Sequence, residues 1–314
     1  MAYYRRLYPN RHTPAFEDTV KSPKLLLVFL DGVGIGAPDS HRNPCAAVPL
    51  QVLQFAAGRD GLPRSGSFRA TDATLAVPGI PQSATGQTTL FTGVNAAQEI
   101  GRHLPGFPSG KLRALLSEHS LLGRLAAAGK KVTFANVYSP PFFDRPSRFL
   151  SVTTVMAQAA GLRLRTLDDL RAGRGLYMDI TGTALRQKGW QVPELSYETA
   201  ADQLVALAGD FDLCLFEFFL TDWIAHRGTF DQAVELAGKL DRFLARLVEG
   251  CAAEGLSLVL TSDHGNFEDF SHRGHTTNAV ATAAWGDAAE CLATVETLAD
   301  ITPAILRFLL PRNG

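Results

Sequence analysis

Three short apolar runs constrain the fold of this chain more than any other feature. "KLLLVFLDG" (24–32), "DLCLFEFF" (212–219) and "LSLVLTSDHG" (256–265) are continuous rather than alternating. A strand with one wet face alternates, so runs of this kind predict strands covered on both faces, as in a parallel sheet. "KVTFANVY" (131–138) has the same form. Helical patterns lie between the runs. "SLLGRLAAAGK" predicts a helix from Ser120 that stops at Gly129. In "TFDQAVELAGKLDRFLARLVEGCAAEG", Thr229 and Gln232 form a capping-box pattern, and Gly255 is the expected stop. Phe230, Val234, Ala237, Leu240, Leu244 and Leu247 form its apolar stripe. Strands alternating with helices predict an α/β fold, a mostly parallel sheet flanked by helices.

The chain has 314 residues, 46% of them hydrophobic, enough for one large domain over 1–314. Residues 1–24 read as an arm packed on the body. Residues 140–193 break the strand–helix pattern and read as a small cap or loop insertion. A net charge of −1 predicts neither a nucleic-acid nor a membrane partner, although Arg5, Arg6 and Arg11 make the N-terminus basic. "LLLVFL" is too short to cross a bilayer, and no signal-like apolar segment follows those arginines. Cys45, Cys214, Cys251 and Cys291 are widely spaced with no CxxC pair, which predicts reduced thiols and a cytoplasmic setting.

Ligands of open parallel sheets gather beyond the carboxyl ends of the strands, so the residues found there carry the functional signal. "LLLVFL" ends in Asp31, "LCLFEFFL" in Thr221-Asp222, and "LSLVLTS" in Asp263-His264. Each has a plain alternative as a turn or helix cap. Asp222 and His226 are spaced to share one helix face and hold one ion. If strand geometry continued, Asp263 and His264 would point apart and reach different partners. His272 and His275 follow in a polar loop. "GIPQSATGQTTLFTG" (79–93) suggests a loop opening a helix, where backbone N–H groups favour a phosphate and either Ser83 or Thr85 could be a nucleophile. It is not a Walker loop, because the lysine is missing. Taken jointly, three aspartates, three histidines and a serine at these positions are an inventory for two divalent ions.

"FLDGVG", "SATGQT", "TDWIAH" and "DHGNFED…GHTTN" together resemble the alkaline-phosphatase superfamily, in the branch that holds cofactor-independent phosphoglycerate mutase and phosphopentomutase. The resemblance implies two divalent metal ions, manganese or zinc with magnesium as a third choice, and a phosphorylated Ser or Thr. It implies Asp222, His226 and His275 as ligands of one ion. Asp31, Asp263 and His264 are implied for the other, with Ser83 as the nucleophile bound to it. Ser83 is preferred to Thr85 because the family's nucleophile stands three residues before the glycine matching Gly86. His272, Glu268 and Asp269 are expected to be ordinary loop residues.

The branch has Asn before the nucleophile and His after the glycine, where this chain has Gln82 and Gln87. The large insert of the bacterial mutases has no full counterpart here. The expected activity is therefore phosphoryl transfer from a small phosphorylated substrate, with hydrolysis favoured over a mutase reaction. A sulfate, phosphonate or diester hydrolase and a non-catalytic metal-binding relative are the other readings. Arg102, His103, Lys111, Arg113 and Arg273 are the candidate substrate-binding cations. The oligomeric state has no signal in the sequence.

Overall fold

The computed structural model describes residues 22–59, 61–144 and 149–310. Nearly all of the expected N-terminal arm, with Arg5, Arg6 and Arg11, lies outside the described residues. Six strands form one sheet: β1 (Leu25–Leu30), β2 (Ser67–Thr71), β3 (Val132–Phe134), β4 (Leu213–Phe218), β5 (Ser257–Thr261) and β6 (Val280–Trp285). Their order is β2-β6-β5-β1-β4-β3. The β3-β4-β1-β5 block is parallel, and β6 runs antiparallel to β5 and β2. The sheet is thus mixed, with its parallel block built from the four apolar runs.

The two-sided burial expected of those runs is visible residue by residue. Leu26, Val28 and Leu30 of β1 join Cys214, Phe216 and Phe218 of β4 in one core layer. Leu25, Leu27 and Phe29 join Leu213 and Leu215 in the other. The first layer is covered by the helices Tyr197–Ala208 and Phe230–Glu254, and the second by Ser83–Thr92, Leu121–Ala127 and Leu298–Leu309. Each fully buried Leu or Phe contributes about 1.5–3 kcal/mol of transfer free energy, so this central block dominates the fold's stability.

The local signals that end helices hold. Ser120 caps Leu121–Ala127 by accepting from Gly123 N–H, and both halves of the Thr229–Gln232 capping box are formed. Gly255 ends the long helix in the left-handed region. The apolar stripe needs correction. Phe230 and Val234 are only half-buried, while Ala233, Leu236, Phe243, Val248 and Cys251 widen the buried face. The stripe is broad because this helix packs against both the sheet and Tyr197–Ala208.

Strands β2 and β6 were not anticipated. "VATAAW" is rich in alanine, which carries little strand preference, and "SFRAT" is a mostly exposed edge. The described part of residues 140–193 contains short helices and packs into the main body. Leu167, Leu170, Leu176, Ile180 and Leu185 enter the first core layer, and Val152, Val155 and Met156 the second. All four cysteines are unpaired. Among the described residues no helix is long and apolar enough to cross a membrane.

Asp241, buried in the middle of the long helix, accepts from the N–H groups of Gln51, Val52 and Leu53, each at 2.8 Å. Asp241→Ala orphans all three donors and is expected to lower the unfolding free energy by about 2–4 kcal/mol. Urea unfolding followed by circular dichroism measures this, and a loss under about 0.5 kcal/mol, the range of an ordinary surface substitution, would refute the anchoring role.

Candidate metal centre

Because β4, β1 and β5 are adjacent and parallel, their carboxyl ends coincide. Leu30 pairs with Phe218, and Phe29 with Thr261. Asp31, the helix Leu220–Arg227 and the Asp263-His264 pair therefore emerge side by side. Asp31 N–H donates to Phe218 O (2.9 Å), and Thr221 Oγ1 donates to Asp31 O (2.6 Å). Gly32 follows with φ +73°, and a Cβ there would lie 3.0 Å from the Asp222 side chain. Only glycine allows β1 to turn this close to Asp222. Gly86 plays the matching part on the helix Ser83–Thr92, where a Cβ would meet Asp263 O at 2.8 Å.

Asp222 and His226 share one face of the Leu220–Arg227 helix, and His275 reaches them from the loop before β6. One ligand atom from each lies within 4.8 Å of the other two. His226 Nδ1 donates to Arg273 O at 2.8 Å, and His275 Nδ1 donates to Pro81 O at 2.9 Å. These bonds fix both tautomers with the Nε2 lone pairs free, and the two Nε2 atoms stand 3.1 Å apart. Two acceptors aimed at each other beside Asp222 Oδ1 (3.3 and 3.5 Å) fit a shared cation.

Asp31, Asp263, His264 and Ser83 form the second cluster. His264 Nε2 lies 3.3 Å from Asp31 Oδ1, 3.5 Å from Asp263 Oδ2 and 2.9 Å from Ser83 Oγ. Apart from this contact with His264, Asp31 Oδ1 and Asp263 Oδ2 are buried without a hydrogen-bond partner, a demand that a cation would satisfy. Asp222 also comes within ligand distance of Asp31 and His264, so it stands between the two clusters. Asp263 and His264 converge instead of pointing apart. Strand geometry ends at Thr261, and the chain then turns, with Ser262 Oγ accepting from Val33 N–H (2.9 Å).

The electrostatics follow from burial. Burial and the neighbouring Asp263 push the Asp31 carboxyl up to about 7. Asp263 is likewise raised, mainly by burial. Burial works against a charged His264, but Asp263 and Asp31 outweigh it and push the imidazole up to about 10. Burial raises Asp222 too, yet His275, His264 and Asn266 together hold it down at about 2.

Thr85 turns away from the clusters. Its hydroxyl donates to Gln82 O and accepts from Leu104 N–H. Of the expected cations, Lys111 pairs with Glu99 (3.1 Å), Arg113 Nε donates to Pro108 O, and His103 Nε2 donates to Val77 O. The Arg273 guanidinium is tied to Gly228 O. Arg102 is exposed just before the 103–104 segment that borders the Ser83 helix. His272 is exposed, and Asp269 pairs with Arg42 at 3.0 Å.

Glu268 is not an ordinary loop residue, because it is buried and accepts four hydrogen bonds. Three other residues were missed. Asn266 Nδ2 donates to Asp222 Oδ1 (2.8 Å), and Gln87 Nε2 approaches Asp31 Oδ2 (3.4 Å). Glu217, on the β4 position facing the second core layer, accepts from Thr153 Oγ1 (2.6 Å). Burial pushes its carboxyl up to about 8. The one signal for Glu217 was a charge inside "LCLFEFF".

Residues 185–312 match the sequence profile of the Metalloenzyme superfamily. A 2,3-bisphosphoglycerate-independent phosphoglycerate mutase from Acinetobacter baylyi is 32% identical over 126 residues, and one from Mycoplasma pneumoniae is 30% identical over 123. Each match takes in 37% of this chain and 24% of the relative, so the chain spans about a quarter of these relatives' length. The fold is similar to Leishmania mexicana phosphoglycerate mutase (TM-score 0.59, 10% identity, 94% of this chain and 97% of that one). It is also similar to alkaline phosphatase from the Antarctic bacterium TAB5 (0.52, 12%, 92% and 98%). Residues 185–312 are thus similar to the Metalloenzyme superfamily, and the fold is similar to that of these alkaline phosphatase and phosphoglycerate mutase structures.

Raised pKa values make the metal-free protein sensitive to pH in a defined direction. Folded Asp31 keeps its proton up to about 7 whereas its ordinary value is 3.8, so stability falls as pH rises between those values. The contribution of His264 is complete below its ordinary 6.5 and is lost as pH rises through about 10. Asp222, held at about 2, is ionised throughout this range and adds no slope. With chelator, urea midpoints should therefore fall steadily from pH 5 to pH 9, and Asp31→Asn should flatten the part below pH 7. A midpoint that rises over this range would contradict the assignment.

Proposed function

We propose that the chain is a two-ion phosphoryl-transfer enzyme acting through a phosphoserine at Ser83 on a small phosphomonoester, with water as the final acceptor. The observation that carries this reading is Ser83 Oγ lying 2.9 Å from His264 Nε2 in the midst of the ligand cluster. Asp222, His226 and His275 would hold one divalent ion, and Asp31, Asp263, His264 and Ser83 the other. Manganese or zinc fits the mixed carboxylate and imidazole donors, with magnesium the third choice. Such ions, when bound, act as Lewis acids that lower the pKa of a hydroxyl and stabilise a leaving oxygen.

Ser83 supplies the nucleophile. Its Oγ loses a proton and attacks phosphorus as the bond to the substrate oxygen breaks, and the departing alcohol takes up a proton. Ser83 is the first residue of its helix, and no side chain caps that end. Thr85 N–H already donates to Leu104 O (3.4 Å), which leaves the Ser83 and Ala84 N–H groups to bind phosphate oxygens. Water then attacks the phosphoserine, freeing phosphate and returning the proton to Ser83 Oγ. Arg102 is the proposed substrate cation, since it is exposed while the other candidates are engaged in contacts of their own. Four unpaired cysteines fit a cytoplasmic setting.

A phosphomutase is the second reading, favoured by the names of the sequence relatives. It differs only in the final acceptor. A panel of phosphate esters assayed with manganese, zinc and magnesium, following phosphate and isomerised product separately, distinguishes the two. Phosphate release is expected to exceed isomerisation. Ser83→Ala should lower turnover on the order of 10³-fold or more and abolish acid-stable labelling of the protein by radioactive phosphoester. Full turnover in Ser83→Ala would remove Ser83 from the mechanism, and no turnover of any ester by the wild type would favour a metal-binding relative without catalysis.

A further inference from the structure

We propose that Glu268 is a positioning residue for the Asp222–His226–His275 ion site, an inference that rests on the two-ion reading above. Its carboxylate collects donors from three separate segments. Oε2 accepts from Gly34 N–H (2.9 Å) and Asn266 N–H (2.8 Å), and Oε1 accepts from Thr276 Oγ1 (2.5 Å) and Asn278 Nδ2 (3.0 Å). Gly34 belongs to the turn that leaves β1 after Asp31. Asn266 donates its side-chain amide to Asp222 Oδ1. Thr276 follows His275 and donates its N–H to Gly265 O (2.9 Å). One buried carboxylate thus fixes both the partner of Asp222 and the backbone that presents His275. Gly34 and Gly265 press against it so closely that a Cβ on either would overlap the carboxylate.

The other cluster has anchors that bypass Glu268. Asp31 is held by Phe218 O and Thr221 Oγ1, Asp263 Oδ1 accepts from Gly32 N–H (3.3 Å), and Ser262 Oγ accepts from Val33 N–H. Damage at Glu268 should therefore fall on one ion site before the other. Glu268→Gln keeps the volume but replaces one oxygen by an NH₂ group. That group must face two donors, either the Gly34 and Asn266 amides or the Thr276 and Asn278 side chains, so one side of the network opens.

Isothermal titration of manganese and of zinc into the chelator-stripped full chain tests this without reference to turnover. Two binding events are expected for the wild type, and His226→Ala, which removes a ligand, identifies the event that belongs to the Asp222 site. Glu268→Gln should weaken that event by about 10–100-fold and leave the other within about threefold. Asn278→Ala, a milder change in a half-buried donor, should weaken the same event by a smaller factor. Equal weakening of both events, or unchanged affinities with only a lower unfolding midpoint, would show a purely structural role and overturn the inference. Wild-type protein that binds fewer than two ions would overturn the two-ion reading, and this inference with it.

Discussion

The structure depends on a concentration of buried negative charge at the carboxyl ends of three neighbouring strands. Asp31 and Asp263 are almost wholly removed from water, and each has an oxygen without a hydrogen-bond partner apart from its contact with His264. Such groups are expensive to bury unless cationic charge or protons compensate them. In the metal-free chain, the protons drawn to His264, Asp31 and Asp263 provide that compensation. Divalent ions would displace these protons, which is why ligand geometry, metal affinity and pH response are one property here. The hydrophobic block beneath the site sets the positions. Leucine and phenylalanine on both faces of β1 and β4 fix the strand register, and the register sets the spacing between carboxylates.

Two backbone carbonyls then decide how the imidazoles act. Arg273 O and Pro81 O each take the Nδ1 proton of a histidine and leave Nε2 for coordination. Pro81 lies two residues before Ser83, so the bond that orients His275 also ties its loop to the start of the Ser83 helix. Asp222 adds a second tie, because its Oδ1 lies near His226 and His275 while the residue also approaches Asp31 and His264. The two clusters are coupled through shared groups and through the chain itself.

Much of this was legible in the sequence, for identifiable reasons. Continuous apolar runs mark strands buried on both sides, and the residues that end them must lie at one edge of the sheet. The spacing of Asp222 and His226 is a helical repeat, and Thr229, Gln232 and Gly255 are local signals that tertiary packing did not override. β6 was illegible because its alanines carry little strand preference. Glu268 was misread because its role depends on Gly34, more than two hundred residues upstream, and a charged residue in a polar loop looks solvated until that partner is known. The convergence of Asp263 with His264 depends on where β5 stops, and element boundaries are the weakest part of any pattern reading.

Under the proposed phosphoryl-transfer reading, the choice between water and a second hydroxyl turns on how the candidate ligand face is covered, since the same residues would serve both reactions. Residues 140–193 are the segment whose sequence suggests a small cap or loop insertion. Their larger apolar side chains, Leu167, Leu170, Leu176, Ile180 and Leu185 on one side and Val152, Val155 and Met156 on the other, are committed to the core layers. Among its described residues, the large aromatics this segment leaves exposed are Phe143 and Phe149, the latter set edge-on to Phe107. A mutase must keep a phosphoserine from water while the substrate reorients, which requires a closed apolar cover. A segment that spends its apolar residues on the sheet has little left with which to exclude water. For the proposed phosphoryl-transfer enzyme, this commitment of residues 140–193 to the core layers argues for water as the acceptor.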